Sequence, residues 1–255
     1  ASGQRRLAVT FSGPVQLGGK LTITGDSYAN TLVNPPTFSN TVTLTTSAEI
    51  ANNTSNAPQT VWLTTLAGST QTLTLSSTTG AGFAFGNPAA SALNVKRIVA
   101  NTNLTLSNTS VSPAYDPLDQ LVANGGGLTM GPGTTLTLTG SGSKVHRFRP
   151  SNVTWQGNNT LSLWGDNWNS DYYLLETLQI GGAGNPETLV YRPFRGGIKG
   201  TPTVQVNSGG TIEVYLARND GIENTNANVV LLGGSTVAGY NGNYNGGLAR
   251  AGGSR

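Results

Sequence analysis

The chain reads as an all-β protein on three observations. Short segments alternate aliphatic and hydroxyl residues, glycine and asparagine punctuate nearly every one of them, and helical periodicity is scarce. Alternation with a period of two is the mark of a strand with one face in the core and the other in solvent. Threonine, 35 of the 255 residues, suits the outer face because its branched Cβ fits a pleated surface. The expected architecture is a β-sandwich or jelly roll. The alternative is a β-solenoid or fibre-like β structure.

The segments run in order along the whole length. Leu21-Thr22-Ile23-Thr24 ends at Gly25-Asp26, and Thr41-Val42-Thr43-Leu44-Thr45-Thr46 follows. Next come Thr72-Leu73-Thr74-Leu75-Ser76, Asn103-Leu104-Thr105-Leu106-Ser107 and Thr135-Leu136-Thr137-Leu138-Thr139. Thr160-Leu161-Ser162-Leu163-Trp164 and Thr211-Ile212-Glu213-Val214-Tyr215-Leu216 close the series. Taking the first aliphatic residue of each, with Leu189 included, the steps are 21, 31, 31, 32, 25, 28 and 23 residues. Steps of that size are the length of a solenoid coil. Their drift, and the lack of a shared motif between segments, favour hairpins that recur at similar spacing, as in a sandwich.

Three stretches carry helical signals: Ser91 to Asn101, Asp116 to Asn124 and Ser170 to Leu178. Asp116 followed by Pro117 has the form of an N-cap with proline at the first helical position. Tyr172-Tyr173 makes a strand the competing reading of the third stretch. By texture the chain divides into a Thr-rich β segment at 1–80, a body at 81–232 with an aromatic cluster, and a Gly/Asn-rich tail at 233–255. Residues 1–232 also read as one continuous domain.

Composition excludes several function classes. No cysteine is present, which removes disulfides, thiolate nucleophiles and thiolate zinc sites. Charged residues make up 10%, far below the roughly 25% of soluble domains. No apolar run approaches the ~18 residues of a membrane helix. The N-terminus has no apolar stretch behind Arg5-Arg6, so no signal peptide is expected unless one has been removed. The net charge of +3 comes from four scattered groups: Arg5-Arg6, Lys96-Arg97, Lys144 to Arg149 and Arg192 to Lys199. Nucleic-acid binders gather such residues on one face, so nucleic acid is not an expected partner.

Catalytic patterns are thin. His146 is the one histidine, set among cations that oppose its protonation. No Gly-x-Ser-x-Gly elbow accompanies it. Gly125-Gly126-Gly127 and Gly140-Ser141-Gly142-Ser143-Lys144 do not fit a phosphate loop. Asp166, Asp171 and Glu176 lie within a stretch of aromatics, and nothing in their spacing makes two of them flank a glycosidic bond. Asn167 to Asp171 lacks the glycine and distal glutamate of a calcium loop. No catalytic residue, metal or cofactor is expected, and the chain does not read as an enzyme.

The candidate site is the aromatic stretch of Trp155, Trp164, Trp168, Tyr172 and Tyr173, interleaved with Asn, Asp and Gln. Such residues suit a protein interface, a polysaccharide site or a hydrophobic core. Thr-x-Thr runs also raise ice binding, which needs them stacked as a flat regular array. Their irregular spacing argues against it.

Segments such as Gly131-Pro132-Gly133-Thr134-Thr135-Leu136-Thr137-Leu138-Thr139-Gly140, together with the Asn/Gly-rich tail, give the chain a texture that resembles bacteriophage virion surface proteins of the capsid decoration (cement) and tail-fibre kind. The likeness runs over most of the length and matches no motif residue by residue. It implies a structural protein in a symmetric homo-oligomer, often a trimer, held on a larger shell by a major capsid or other virion protein. A virion assembled in the host cytoplasm would then be its location, and Ala1-Ser2 is what removal of an initiator methionine leaves. The competing expectation is a glycan-binding adhesin or receptor-binding module on an extracellular surface.

Overall fold

The computed structural model describes residues 9–24, 36–54, 60–85, 93–108, 127–140, 145–165, 171–192, 198–199, 203–216 and 228–241. Among them every strand pair is parallel, and no α-helix occurs. The chain is a parallel β-solenoid. The all-β expectation holds, and the sandwich or jelly roll gives way to its alternative. A sandwich pairs antiparallel strands across short hairpins. Here each strand pairs with the one a full coil later, as Leu104 does with Leu136 and Leu136 with Leu161.

Each coil turns three corners and presents three faces. The first face stacks ten segments: Thr10–Phe11, the start of Thr37–Leu44, the start of Val61–Ser76, Phe83–Phe85 and Leu104–Asn108. It continues through Thr135–Gly140, Thr160–Gly165, Thr188–Arg192, Thr211–Leu216 and Thr236–Asn241. At about 4.8 Å per strand, nine steps make a rod of about 43 Å. The second face runs from Val15–Leu17 to the start of Leu93–Asn101, and again from Val145–Phe148 through Asp171–Leu174 to Ile198–Lys199. The third runs from Lys20–Thr24 to Val153–Trp155, and again from Leu178–Ile180 through Thr203–Val206 to Asn228–Leu231.

Alternation puts two aliphatic columns of each face inside. On the first face Val61, Phe83, Leu104, Leu136, Leu161, Leu189 and Ile212 stack in register, and all are buried. Beside them stand Phe38, Leu63, Phe85, Leu106, Leu138, Leu163, Tyr191 and Val214, also buried. Each such side chain contributes about 1.5–3 kcal/mol relative to exposure. Stacking the same face of every coil is what lets a chain so poor in apolar residues close a core.

The corner that leads from the third face to the first has a polar interior. Backbone carbonyls there turn inward, and a buried carbonyl without a donor is costly. Asn52 Nδ2 donates to Gly82 O at 2.8 Å, Thr102 Oγ1 to Ala81 O at 2.9 Å and Asn159 Nδ2 to Gly131 O at 2.7 Å. All three side chains are buried. Asn159 also accepts from the Gly157 amide at 2.9 Å, locking its own turn.

Two further expectations meet the structure here. Leu93–Asn101, within the first helical candidate, is a strand. Its Leu93, Val95, Ile98 and Ala100 fall in the buried columns of two faces, and that burial overrides local helical propensity. Asp171–Leu174 is likewise a strand, whereas residues 116–124 lie outside the described residues. The ladder crosses residue 80 through the pairing of Val61 with Phe83, and Thr236–Asn241 extends it into the Gly/Asn-rich tail.

Candidate functional site

The solenoid separates the aromatic stretch. Trp155 is in register with Met130 and only 5% exposed, in the core behind the third face. Tyr172 is also core, and its hydroxyl donates to Leu138 O at 3.3 Å. Burial pushes the Tyr172 phenol above its ordinary pKa, and neighbouring Tyr191 pushes the same way. Tyr173 points the other way by alternation and is 38% exposed. Trp164 occupies a register position between Thr139 and Arg192. Trp168 lies outside the described residues.

The register brings other residues to the same edge. On the second face Tyr173 stands between Arg147 and Lys199, one rung to either side. At the C-terminal end of the first-face strands, Ser107, Thr139, Trp164 and Arg192 form one column. The Arg192 guanidinium lies 3.8 Å from the centre of the Tyr215 ring, a cation–π contact, and Tyr215 is in register with Tyr240. The Tyr215 hydroxyl donates to Glu213 Oε2 at 3.3 Å. Aromatic and cationic positions of successive coils thus recur in register on the second face and at the C-terminal end of the first-face strands. Aligning the segments Leu161-x-Leu163, Leu189-x-Tyr191 and Ile212-x-Val214 on their apolar pairs puts Trp164, Arg192 and Tyr215 in one column. That was the signal in the sequence for the two residues not singled out there.

The threonine runs stack as well. Thr135, Thr160, Thr188, Thr211 and Thr236 form a single column, because the corners absorb the uneven spacing between segments. The flanking columns do not continue it. One passes from Thr137 and Ser162 to Val190, Glu213 and Ala238, and the other from Thr139 to Trp164 and Arg192. A two-dimensional hydroxyl lattice is not formed.

The described glutamates are occupied by local contacts. Glu176 accepts from Arg149 at 3.3 Å and from the Ser151 amide at 3.2 Å. Hydrogen bonding from Ser151, with Arg149 beside it, holds its carboxyl below the usual glutamate range. A general acid for glycoside hydrolysis needs the opposite shift. Asp166 and the side chain of Asp171 lie outside the described residues. A shallow groove of about 300 Å³ near the N-terminal end is lined by Gly19, Lys20, Ser47, Ala48, Glu49, Thr72 and Thr74. Its Lys20 and Glu49 pair at 3.0 Å, and bonds from Ser76 and then Lys20 hold Glu49 low. Among the described residues no three His, Asp or Glu side chains gather as a metal site. No family model, no curated protein and no solved structure matches the chain.

Proposed function

We propose that the chain is a structural protein of a virion surface, of the decoration or fibre kind, serving as a stiff rod that braces a larger particle. The observation that carries this reading is the first-face ladder of ten parallel segments, about 43 Å long at ~4.8 Å per strand. A continuous parallel ladder resists bending, and its outer face of hydroxyls and few charges suits close contact with neighbouring subunits. Particles purified from the producing cells test the reading by mass spectrometry and electron microscopy. The chain is expected as a constituent of the particle, seen as rods of that length or its multiples. Complete particles that lack the chain, with all of it recovered free, overturn the proposal.

The exposed ring of Tyr173, at a register position between Arg147 and Lys199, favours a second reading, a module that binds acidic polysaccharide along the second face. An aromatic face stacks on sugar C–H groups, and flanking cations pair with uronic or sialic carboxylates. On an array of acidic glycans, Tyr173→Ala is expected to weaken binding at least tenfold. Wild-type protein that binds none of them ends this reading.

A further inference from the structure

The two ends of the solenoid are unlike its middle. At the C-terminal end, Val229 and Leu231 continue the inward columns of Val204 and Val206. Val204 and Val206 are fully buried, whereas Val229 is 36% exposed and Leu231 51%. Val230 and Leu232, on the outward side of the same segment, are exposed as well. Apart from Val9 and Tyr173, these four are the only exposed large hydrophobic residues among the described residues. Among the described residues, Asn228–Leu231 and Thr236–Asn241 each pair with a strand on one side only, which leaves the other side of each free to extend the ladder.

Among the described residues no later segment lies over these positions. From the start of a first-face strand to the third-face strand that follows it are 18 residues from Thr160 to Leu178, 15 from Thr188 to Thr203 and 17 from Thr211 to Asn228. The same interval from Thr236 reaches Ala251-Gly252-Gly253-Ser254. None of these side chains is larger than a methyl or hydroxymethyl group.

The opposite end offers what is missing. Thr10–Phe11, Val15–Leu17 and Lys20–Thr24 make a first coil with the same three faces and the same strand direction, each paired on one side only among the described residues. Its inward residues Phe11, Val15, Leu21 and Ile23 are only partly buried. Strands of the same polarity continue a parallel ladder unchanged, whereas contact between like ends would require a switch to antiparallel pairing.

We propose that the C-terminal coil docks on the N-terminal coil of a second copy, so that the solenoid stacks head to tail. Val229 and Leu231 are then covered by the inward row of the neighbour's Lys20–Thr24, and the ladders run on through the junction. Such a contact is heterologous and does not close, so it builds rods rather than a fixed oligomer. The inference rests on the structural reading above, since a unit built to stack is a unit of an assembly.

Light scattering and electron microscopy of the purified full chain test it, with cysteine trapping as the second measurement. Rods that lengthen with concentration are expected, and Val229→Lys with Leu231→Lys should return them to monomers of unchanged strand content. The absence of native cysteine makes the trapping specific. Thr22→Cys and Val230→Cys, made in separate chains and mixed under oxidation, should form the mixed disulfide dimer, because stacking Val229 on Leu21 and Leu231 on Ile23 sets these two positions directly opposite each other. Wild type that stays monomeric at about 100 µM, with no mixed disulfide, overturns the stacking. A discrete trimer without that disulfide also overturns it, and leaves the virion reading standing. Absence of the chain from particles overturns the virion reading instead.

Discussion

Tyr172 concentrates much of the chemistry of the core in one side chain. It is 1% exposed, its hydroxyl donates to Leu138 O on the coil below, and Tyr191 lies beside it. Its folded phenol has a pKa above the unfolded value of 10.0. The proton is therefore held more tightly in the folded chain, and this contribution to stability is complete below about pH 10 and is lost as pH rises beyond it. Thermal melts are expected to fall steeply above pH 10 in wild type. Tyr172→Phe should melt lower at pH 7, by the worth of one hydrogen bond, about 1 kcal/mol, with a shallower alkaline fall. Identical alkaline slopes for the two proteins would count against this account. The sequence placed Trp155 and Tyr172 among binding aromatics because a Trp or Tyr beside polar residues looks the same in a core column as on a surface. Only register distinguishes them: Tyr172 falls with the inward residues Phe148 and Leu174, and Tyr173 with Arg147.

At the scale of the element, the corners decide the fold. A Cβ on Gly210 would lie 2.5 Å from Ile180 O and 3.1 Å from Asn207 O, both backbone atoms that cannot swing aside. Gly133, with φ of +71°, has open space around it, so only its backbone conformation favours glycine. Gly210→Ala is expected to cost about 2–3 kcal/mol as overpacking against the neighbouring coil, and Gly133→Ala about 1–2 kcal/mol through its left-handed backbone. Thermal melts of the two variants check the order, and equal losses would sink the steric argument. The strands were legible in part: alternation located segments such as Thr135–Gly140 and Thr160–Gly165, whereas Val15–Leu17 and Phe83–Phe85 are too short to show a period and Leu93–Asn101 carried a helical signal. Their partners were less so. Leu104, Leu136, Leu161, Leu189 and Ile212 are successive positions of one column, and their steps are true coil lengths. Leu21 and Leu73 belong to the third face and Val42 to the second, so the earlier steps mix faces and disguise the repeat.

On the scale of the whole molecule, a low apolar content and scarce charge have one explanation. Three inward rows per coil need few aliphatic residues, provided that each coil reuses the position of the last. The outer faces then carry threonine, asparagine and serine in place of ion pairs; exposed pairs such as Lys20–Glu49 are worth little in any case. A sandwich needs no such reuse, and for that reason composition alone did not separate the two architectures.

The uneven spacing that hid the coil has a further consequence. Register holds through steps from 21 residues, between Phe83 and Leu104, to 32, between Leu104 and Leu136. The columns are therefore indifferent to how much chain lies between them. A foreign peptide grafted between Leu106 and Leu128 would enter the longest of these steps, and the rungs above and below would keep their phase.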